Sequence, residues 1–152
     1  MSANGLPAFD KTLQTTNIWL GEIMERLGPD RQVAWKVLST VLHKLRDRLP
    51  VEAAAHLGAQ LPLLVRGAYY DQFEPARQPT ECRTREEFVA EVAEWLTDIR
   101  PVDPDEAVRA VFLVLSRHVD PGQIAKTRGI LPEPLRRWWE SVEERTPEPA
   151  AG

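Results

Sequence analysis

A chain of 152 residues is long enough for one domain that buries about 68–70% of its unfolded surface, so no disulfide or metal is needed to hold a core. Its 19 Lys and Arg against 23 Asp and Glu give a net charge of −4 with the signs interspersed, which disfavours the basic field of a nucleic-acid binder. There is no apolar run near the ~18 residues of a membrane span and no charged-then-apolar leader, and the single cysteine, Cys82, cannot close an intrachain disulfide; the expectation is a cytoplasmic protein without a membrane span.

Thirteen prolines are more than a helical protein would carry by chance, and they act as punctuation between helices. Phe9, Leu13, Leu20, Ile23 and Leu27 recur at three-and-four spacing and predict a first amphipathic helix that ends at Gly28-Pro29-Asp30. A second helix carries Ala34, Val37, Leu38, Val41, Leu42, Leu45 and Leu49 on a wide apolar face, has Lys36, Lys44, Arg46 and Arg48 at polar positions, and stops at Pro50. The alanine-rich stretch from Val51 to Leu61 places Ala54, Leu57 and Leu61 in helical register, and Pro62 opens a short helix to about Tyr70.

Residues 71 to 83 have no helical period and read as a surface connection. Thr84 and Glu87 then form a capping box ahead of Phe88, Val92, Trp95, Leu96 and Ile99. Asp103-Pro104 and Asp120-Pro121 each pair a cap with a proline at the first helical position. The first precedes the stripe Ala107, Ala110, Val111, Val114 and Leu115; the second opens a short helix to Arg128, ended by Gly129. Pro132 starts a last helix with Leu135, Trp138, Trp139 and Val142.

The two halves match in three landmarks that occur in the same order. Trp19-Leu20 with Ile23 corresponds to Trp95-Leu96 with Ile99, and Ala34, Val37, Val41 and Leu42 fall opposite Ala107, Ala110, Val114 and Leu115. Leu61-Pro62 with Arg66 lies opposite Leu131-Pro132 with Arg136. The expected fold is therefore all-α: a compact bundle of about eight helices made of two tandem, pseudo-symmetric four-helix repeats. Repeat one spans about 9–70, a linker 71–83 and repeat two about 84–144, with 1–8 a flexible N-terminus and 145–152 a disordered tail.

The run Val41-Leu42-His43-Lys44-Leu45-Arg46-Asp47-Arg48-Leu49, the segment Ala55-His56-Leu57-Gly58-Ala59-Gln60-Leu61-Pro62, and Arg66-Gly67 with Tyr69-Tyr70 resemble the bacterial family Domain of Unknown Function 2267. The likeness extends to Arg85-Glu86-Glu87-Phe88 and to Leu131-Pro132 through Trp139, covering roughly residues 9 to 140. It implies a helical bacterial protein of unassigned activity, with no catalytic or binding residues to carry over.

Chemistry must then come from the residues. His43, His56 and His118 are not gathered with carboxylates at ligand spacing, and they face Ser116, Lys126 and Leu45 in the other half, so no metal, cofactor or catalytic site is expected. His43 and Asp47 lie one helical turn apart and could share a hydrogen bond, although a solvated or capping histidine explains the spacing as well. Ser39, Ser116 and Ser141 lack a histidine placed as a base, and no Gly-rich phosphate loop is present.

The distinctive side chains are Arg66, Tyr69 and Tyr70, and Arg136, Arg137, Trp138 and Trp139, at equivalent ends of the halves. Exposed, they would form an interaction surface for a protein partner or for self-association; the plain alternative is that the rings close the core. The leading expectation is a non-enzymatic protein-interaction module. The rival is a small-molecule binder or enzyme with a pocket at the seam between the repeats, lined by His43 or His56. A nucleic-acid site would require Lys36, Lys44, Arg46 and Arg48 to gather with Arg77, Arg83 and Arg85, which the acidic total opposes.

Overall fold

The computed structural model describes residues 5–145, and these form eight α-helices with no strand among the described residues. Helix α1 (Pro7–Leu27) starts with proline at its first position, so Pro7 and Ala8 belong to the helix and not to a flexible N-terminus. Gly28 ends it in a positive-φ conformation (φ 108°) that disfavours a side chain, and the Arg100 guanidinium donates to the Leu27 carbonyl at 2.6 Å. Asp30 caps α2 (Arg31–Asp47) by accepting from the amides of Gln32 and Val33. Helices α3 (Val51–Gly58) and α4 (Leu63–Tyr70) follow Pro50 and Pro62.

The expected surface connection holds a single 3-10 turn, Pro75–Arg77, and is tied down. Gln78 donates to the carbonyls of Arg46 and Leu49 at 2.6 and 2.9 Å, and the Thr80 amide donates to the Asp47 carbonyl. Helix α5 (Arg85–Glu94) has its Thr84 cap bonded to the Glu87 amide, while Glu87 reaches back to the Arg83 amide, one residue earlier than the standard box. The α5 period was expected to run through Ile99. It stops at Glu94, because the amides of Trp95 and Leu96 tighten to i−3 carbonyls and Arg100 is drawn to the end of α1. Trp95 is consequently half exposed, whereas Trp19, opposite it in the sequence match, is buried.

Asp103 and Asp120 cap α6 (Pro104–His118) and α7 (Pro121–Ile130) as expected. Gly129 does not end α7: the helix runs through it to Ile130, and Leu131 turns extended ahead of Pro132, as a residue preceding proline must. Helix α8 (Glu133–Arg145) completes the fold. The tail expected at 145–152 lies, beyond Arg145, outside the described residues.

Helices α2 and α6 pack on each other at the centre, where α6 buries every residue from Ala110 to Leu115. Around them the partners cross over: α1 lies on both α2 and α6, α5 on both α6 and α2, α4 on α2 and α1, α8 on α6 and α5, and α3 meets α7. Polar ties reinforce the crossing. Glu22 of α1 accepts from Arg117 at 3.1 Å and pairs with His118 at 2.6 Å, and the His118 ring stacks on Trp19.

The rings expected at the helix ends are core residues in three of four cases. Trp139 is fully buried, stacks on Phe112 with centroids 4.4 Å apart, and donates its indole N–H to Ser116 Oγ at 2.8 Å. Tyr69 is equally buried and donates to the Ala54 carbonyl at 2.7 Å, and Gly58 leaves the room that Tyr69 and Tyr70 occupy. Trp138 packs edge-on to Phe112 beneath the Arg85 guanidinium. Truncation of such a residue removes packing and a hydrogen bond together. Trp139→Ala should lower unfolding free energy by about 3–5 kcal/mol in urea titration, with solution mass by light scattering unchanged.

Candidate functional site

The face of α2 opposite the core carries Lys36, Ser39, His43 and Asp47 at three-and-four spacing, so all four share one side of the helix. That side forms one wall of a cleft of about 1010 Å³; Leu64, Gly67 and Ala68 of α4 form the other. Phe73 and Glu74 close one end, and Trp35 and Trp95 contribute aromatic surface. The cleft is open because the side chains between α2 and α4 at this level are small, Ser39 on one wall and Gly67 with Ala68 on the other.

Its deep end is built by Arg46, which the periodicity placed at a polar position but which is buried. The guanidinium donates to the carbonyls of Tyr69 and Asp71 at 2.7 and 2.8 Å and to Asp47 at 3.0 Å, so it caps the end of α4 where backbone acceptors would otherwise be orphaned. His43 takes a neighbouring carbonyl: its Nε2–H donates to Ala68 O at 2.6 Å, which leaves Nδ1 as an acceptor in the neutral ring. The expected His43–Asp47 bond does not form, because each is engaged elsewhere, His43 by Ala68 and Asp47 by Arg46. Burial lowers the His43 pKa; the Ala68 bond works against that, Arg46 with it, and Asp47 and Asp71 against it.

The charges around the mouth are largely paired. Lys44 stands over the Trp95 ring, 5.1 Å from its centroid, with its pKa lowered by desolvation. Lys36 pairs with Asp98 at 3.5 Å and Arg77 with Glu74 at 3.0 Å. Ser39 is different: its residue lines the cleft, while its Oγ is turned out of solvent and makes no hydrogen bond within the described residues.

The cleft contains one of the two histidines expected at a seam pocket. His43 lines it; His56 sits exposed on α3 beside Glu52. Only Trp95 reaches it from the second half, so the site belongs mainly to α2 and α4 and only its rim to the seam. Of the expected contact residues, Tyr69, Trp138 and Trp139 are in the core, Arg66 donates to the carbonyls of Ala59 and Leu61, Tyr70 is half-buried against Tyr69 and Phe73, and Arg136 is half-buried. Arg137 is exposed and pairs with Glu133. Of the seven basic residues Lys36, Lys44, Arg46 and Arg77 line the cleft, three of them paired with carboxylates, but the rest do not join them: Arg48 is buried against Glu91 and Thr80, and Arg85 is held by Asp105 and Trp138. Among the described residues no group of three His, Cys, Asp or Glu side chains could hold a metal, and no helix is long and apolar enough to cross a membrane.

Serines and thiol are structural in their bonding where they are bonded. Ser116 donates to Glu143 and Ser141 to the Trp138 carbonyl, and the buried Cys82 lies 3.6 Å from the Thr84 carbonyl.

Compared with known families, residues 16–138 match the model of one described as an uncharacterized conserved protein, DUF2267. No curated protein matches the chain.

A histidine whose folded pKa lies below its ordinary 6.5 binds fewer protons folded than unfolded in the window below that value, so its neutral ring stabilises the fold above pH 6.5 and that contribution is lost as pH falls. The wild type should lose stability between pH 7 and pH 5, and His43→Gln, which keeps a donor for Ala68, should lose less. Urea midpoints across this range compare the two; equal slopes would remove His43 as the source.

Proposed function

The chain belongs to the DUF2267 family, and we propose that it works as a binder of small organic molecules, using the cleft between α2 and α4 without covalent chemistry. One observation carries this reading: a concave site of about 1010 Å³ combines aromatic surface with a few fixed polar groups, among them a Ser39 hydroxyl that nothing among the described residues satisfies. Arg46 and His43 hold the wall to the end of α4, so the site is formed before any ligand arrives. Pairing of Lys36, Arg46 and Arg77 with carboxylates leaves little free charge and favours a ligand of low net charge.

The same reading takes the two halves as products of a duplication. The exchange of helix partners around α2 and α6 supports it, because replacing each helix of one half by its counterpart reproduces nearly the whole set of packed pairs. A cytoplasmic location fits the buried, unpaired thiol of Cys82.

A second reading, interaction with another protein chain, is favoured by a different surface from the arginine and aromatic ends. Phe9 and Leu13 of α1, expected on the buried stripe, are exposed at 49% and 41%, and Leu63 and Leu64 of α4 join them around an apolar groove. The occupant we assign to it is a second copy of this chain, since the groove and the side chains that would fill a groove are present on the same face.

Light scattering separates the readings. A monomer whose melting temperature rises by several degrees with compounds from a metabolite library, and whose shift is lost in Lys44→Glu, is the expected result for a ligand binder. A dimer that Leu13→Lys dissociates, with no compound shifting the melt, would transfer the function to the groove.

A further inference from the structure

Matched along α2 and α6, and along α4 and α8, the two halves agree closely in which positions are buried. Ala34, Val37, Val41 and Leu42 are buried like Ala107, Ala110, Val114 and Leu115, and Leu61, Val65 and Tyr69 like Leu131, Leu135 and Trp139. The same alignment puts Ser39 opposite Phe112 and Ala68 opposite Trp138. Those are two of five places in these helices where burial departs, the others being Val33 opposite Glu106, Trp35 opposite Val108 and Leu45 opposite His118; Phe112 and Trp138 are buried, while Ser39 and Ala68 are partly open and line the cleft.

The second half therefore displays what fills this space. Between α6 and α8 the Phe112 and Trp138 rings meet edge to face, with centroids 5.6 Å apart, and the Arg85 guanidinium covers the indole at 4.3 Å. Between α2 and α4 both rings are missing, their loss leaves a cleft instead of a collapsed contact, and three further aromatics, Trp35, Phe73 and Trp95, stand around it. In the second half two flat rings fill the space between the helices, and in the first the matching positions border a cleft, so a flat ring is the shape that would replace them.

We infer that the cleft takes a planar nitrogen heteroaromatic molecule, its ring lying between Ser39 and Ala68 where the other half holds its own Phe112 and Trp138. The inference rests on the small-molecule reading above and adds the ligand class. The second half packs flat rings at these positions, so the cleft is expected to prefer a flat ring to a puckered one. Ser39 Oγ, which makes no hydrogen bond within the described residues, is the acceptor for a ring N–H once its side chain turns to the cleft, and the Nδ1 of His43 offers a second acceptor one turn along α2. Lys44, already over the Trp95 face, covers the mouth as Arg85 covers Trp138. The charges lining the cleft nearly cancel, Lys36, Lys44, Arg46 and Arg77 against Asp47, Asp71 and Glu74, and three of the cations are already paired with carboxylates, so it offers no cluster of free cations to a phosphate-rich nucleotide.

The test is a titration of the full chain with indole, and with cyclohexanol as a saturated probe, followed by amide NMR shifts. Indole should saturate with its largest shifts at Ser39, His43, Gly67 and Ala68, and cyclohexanol should bind at least about tenfold more weakly. Ala68→Trp and Ser39→Phe each restore a ring that the other half carries; both should reduce indole affinity at least about tenfold with melting temperatures at or above that of the wild type. If one variant fails to fold, the other decides. Equal binding of the two probes, or undiminished indole binding in a folded refilled variant, would overturn the inference. A library compound without an aromatic ring that binds in the cleft while indole does not would overturn the ligand class and leave the small-molecule reading standing, whereas a cleft that takes neither probe nor any library compound would remove both.

Discussion

Helix α6 buries six consecutive residues from Ala110 to Leu115, which no single flanking helix can cover because consecutive positions advance by about 100° and so point all round the axis. It must be surrounded, and the helices that surround it come from both halves: α1 and α2 from the first, α5, α7 and α8 from the second. Helix α2, apolar through Val37, Leu38, Val41, Leu42 and Leu45, imposes the same demand from its side. The pairing of α2 with α6 is thus the constraint from which the rest follows. Four helices alone would leave one of these faces in water, so the halves fold as one body.

Burying the inner face of α2 sets a second problem, since Arg46 and Arg48 go inside with it. A buried guanidinium is tolerated only when its donors are met. Arg46 is met by backbone: the carbonyls at the end of α4 have no helical acceptor role left, and five fixed donors of one guanidinium can serve several of them at once. The arginine that looked like a solvated position is the bolt between α2 and α4. The same bolt holds the deep end of the cleft, so packing and site share their positioning residue.

The candidate site arises from an inequality between two similar halves. Where the second half closes the space between its central and last helices with Phe112, Trp138 and Trp139, the first has Ser39, Ala68 and Tyr69, and only the last of these is large. Tyr69 still seals the core beneath, with its phenol bonded to Ala54. A fold can leave one position unfilled when a matching position elsewhere in the chain is filled, and that unfilled position is the basis of the proposed ligand site. The unsatisfied Ser39 hydroxyl and the desolvated His43 and Lys44 stand at the same place, which gives the cleft a chemical character beyond its shape.

The sequence by itself determined the helices and most of their starts, while the ends of α5 and α7 fell elsewhere than local spacing placed them. Asp30, Thr84, Asp103 and Asp120 cap as their local spacing dictates, prolines mark the starts, and the three-and-four pattern selects the buried face of α2 and α6, because caps and periodicity act over a few residues and need no distant partner. The family, too, was legible in short runs such as that from Val41 to Leu49. What only the tertiary structure decided was which side of each ring and guanidinium faces water. Phe9 and Leu13 continue the stripe of α1 but extend past the helices that would cover them; Trp138 and Trp139 are adjacent on one helix yet both buried, because α6 and the Arg85 side chain of α5 enclose them from different sides. The cleft was beyond sequence reading for the same reason. An alanine and a serine announce nothing alone, and they become a site only when two helices, held apart by Arg46 and by the core, bring them face to face across space.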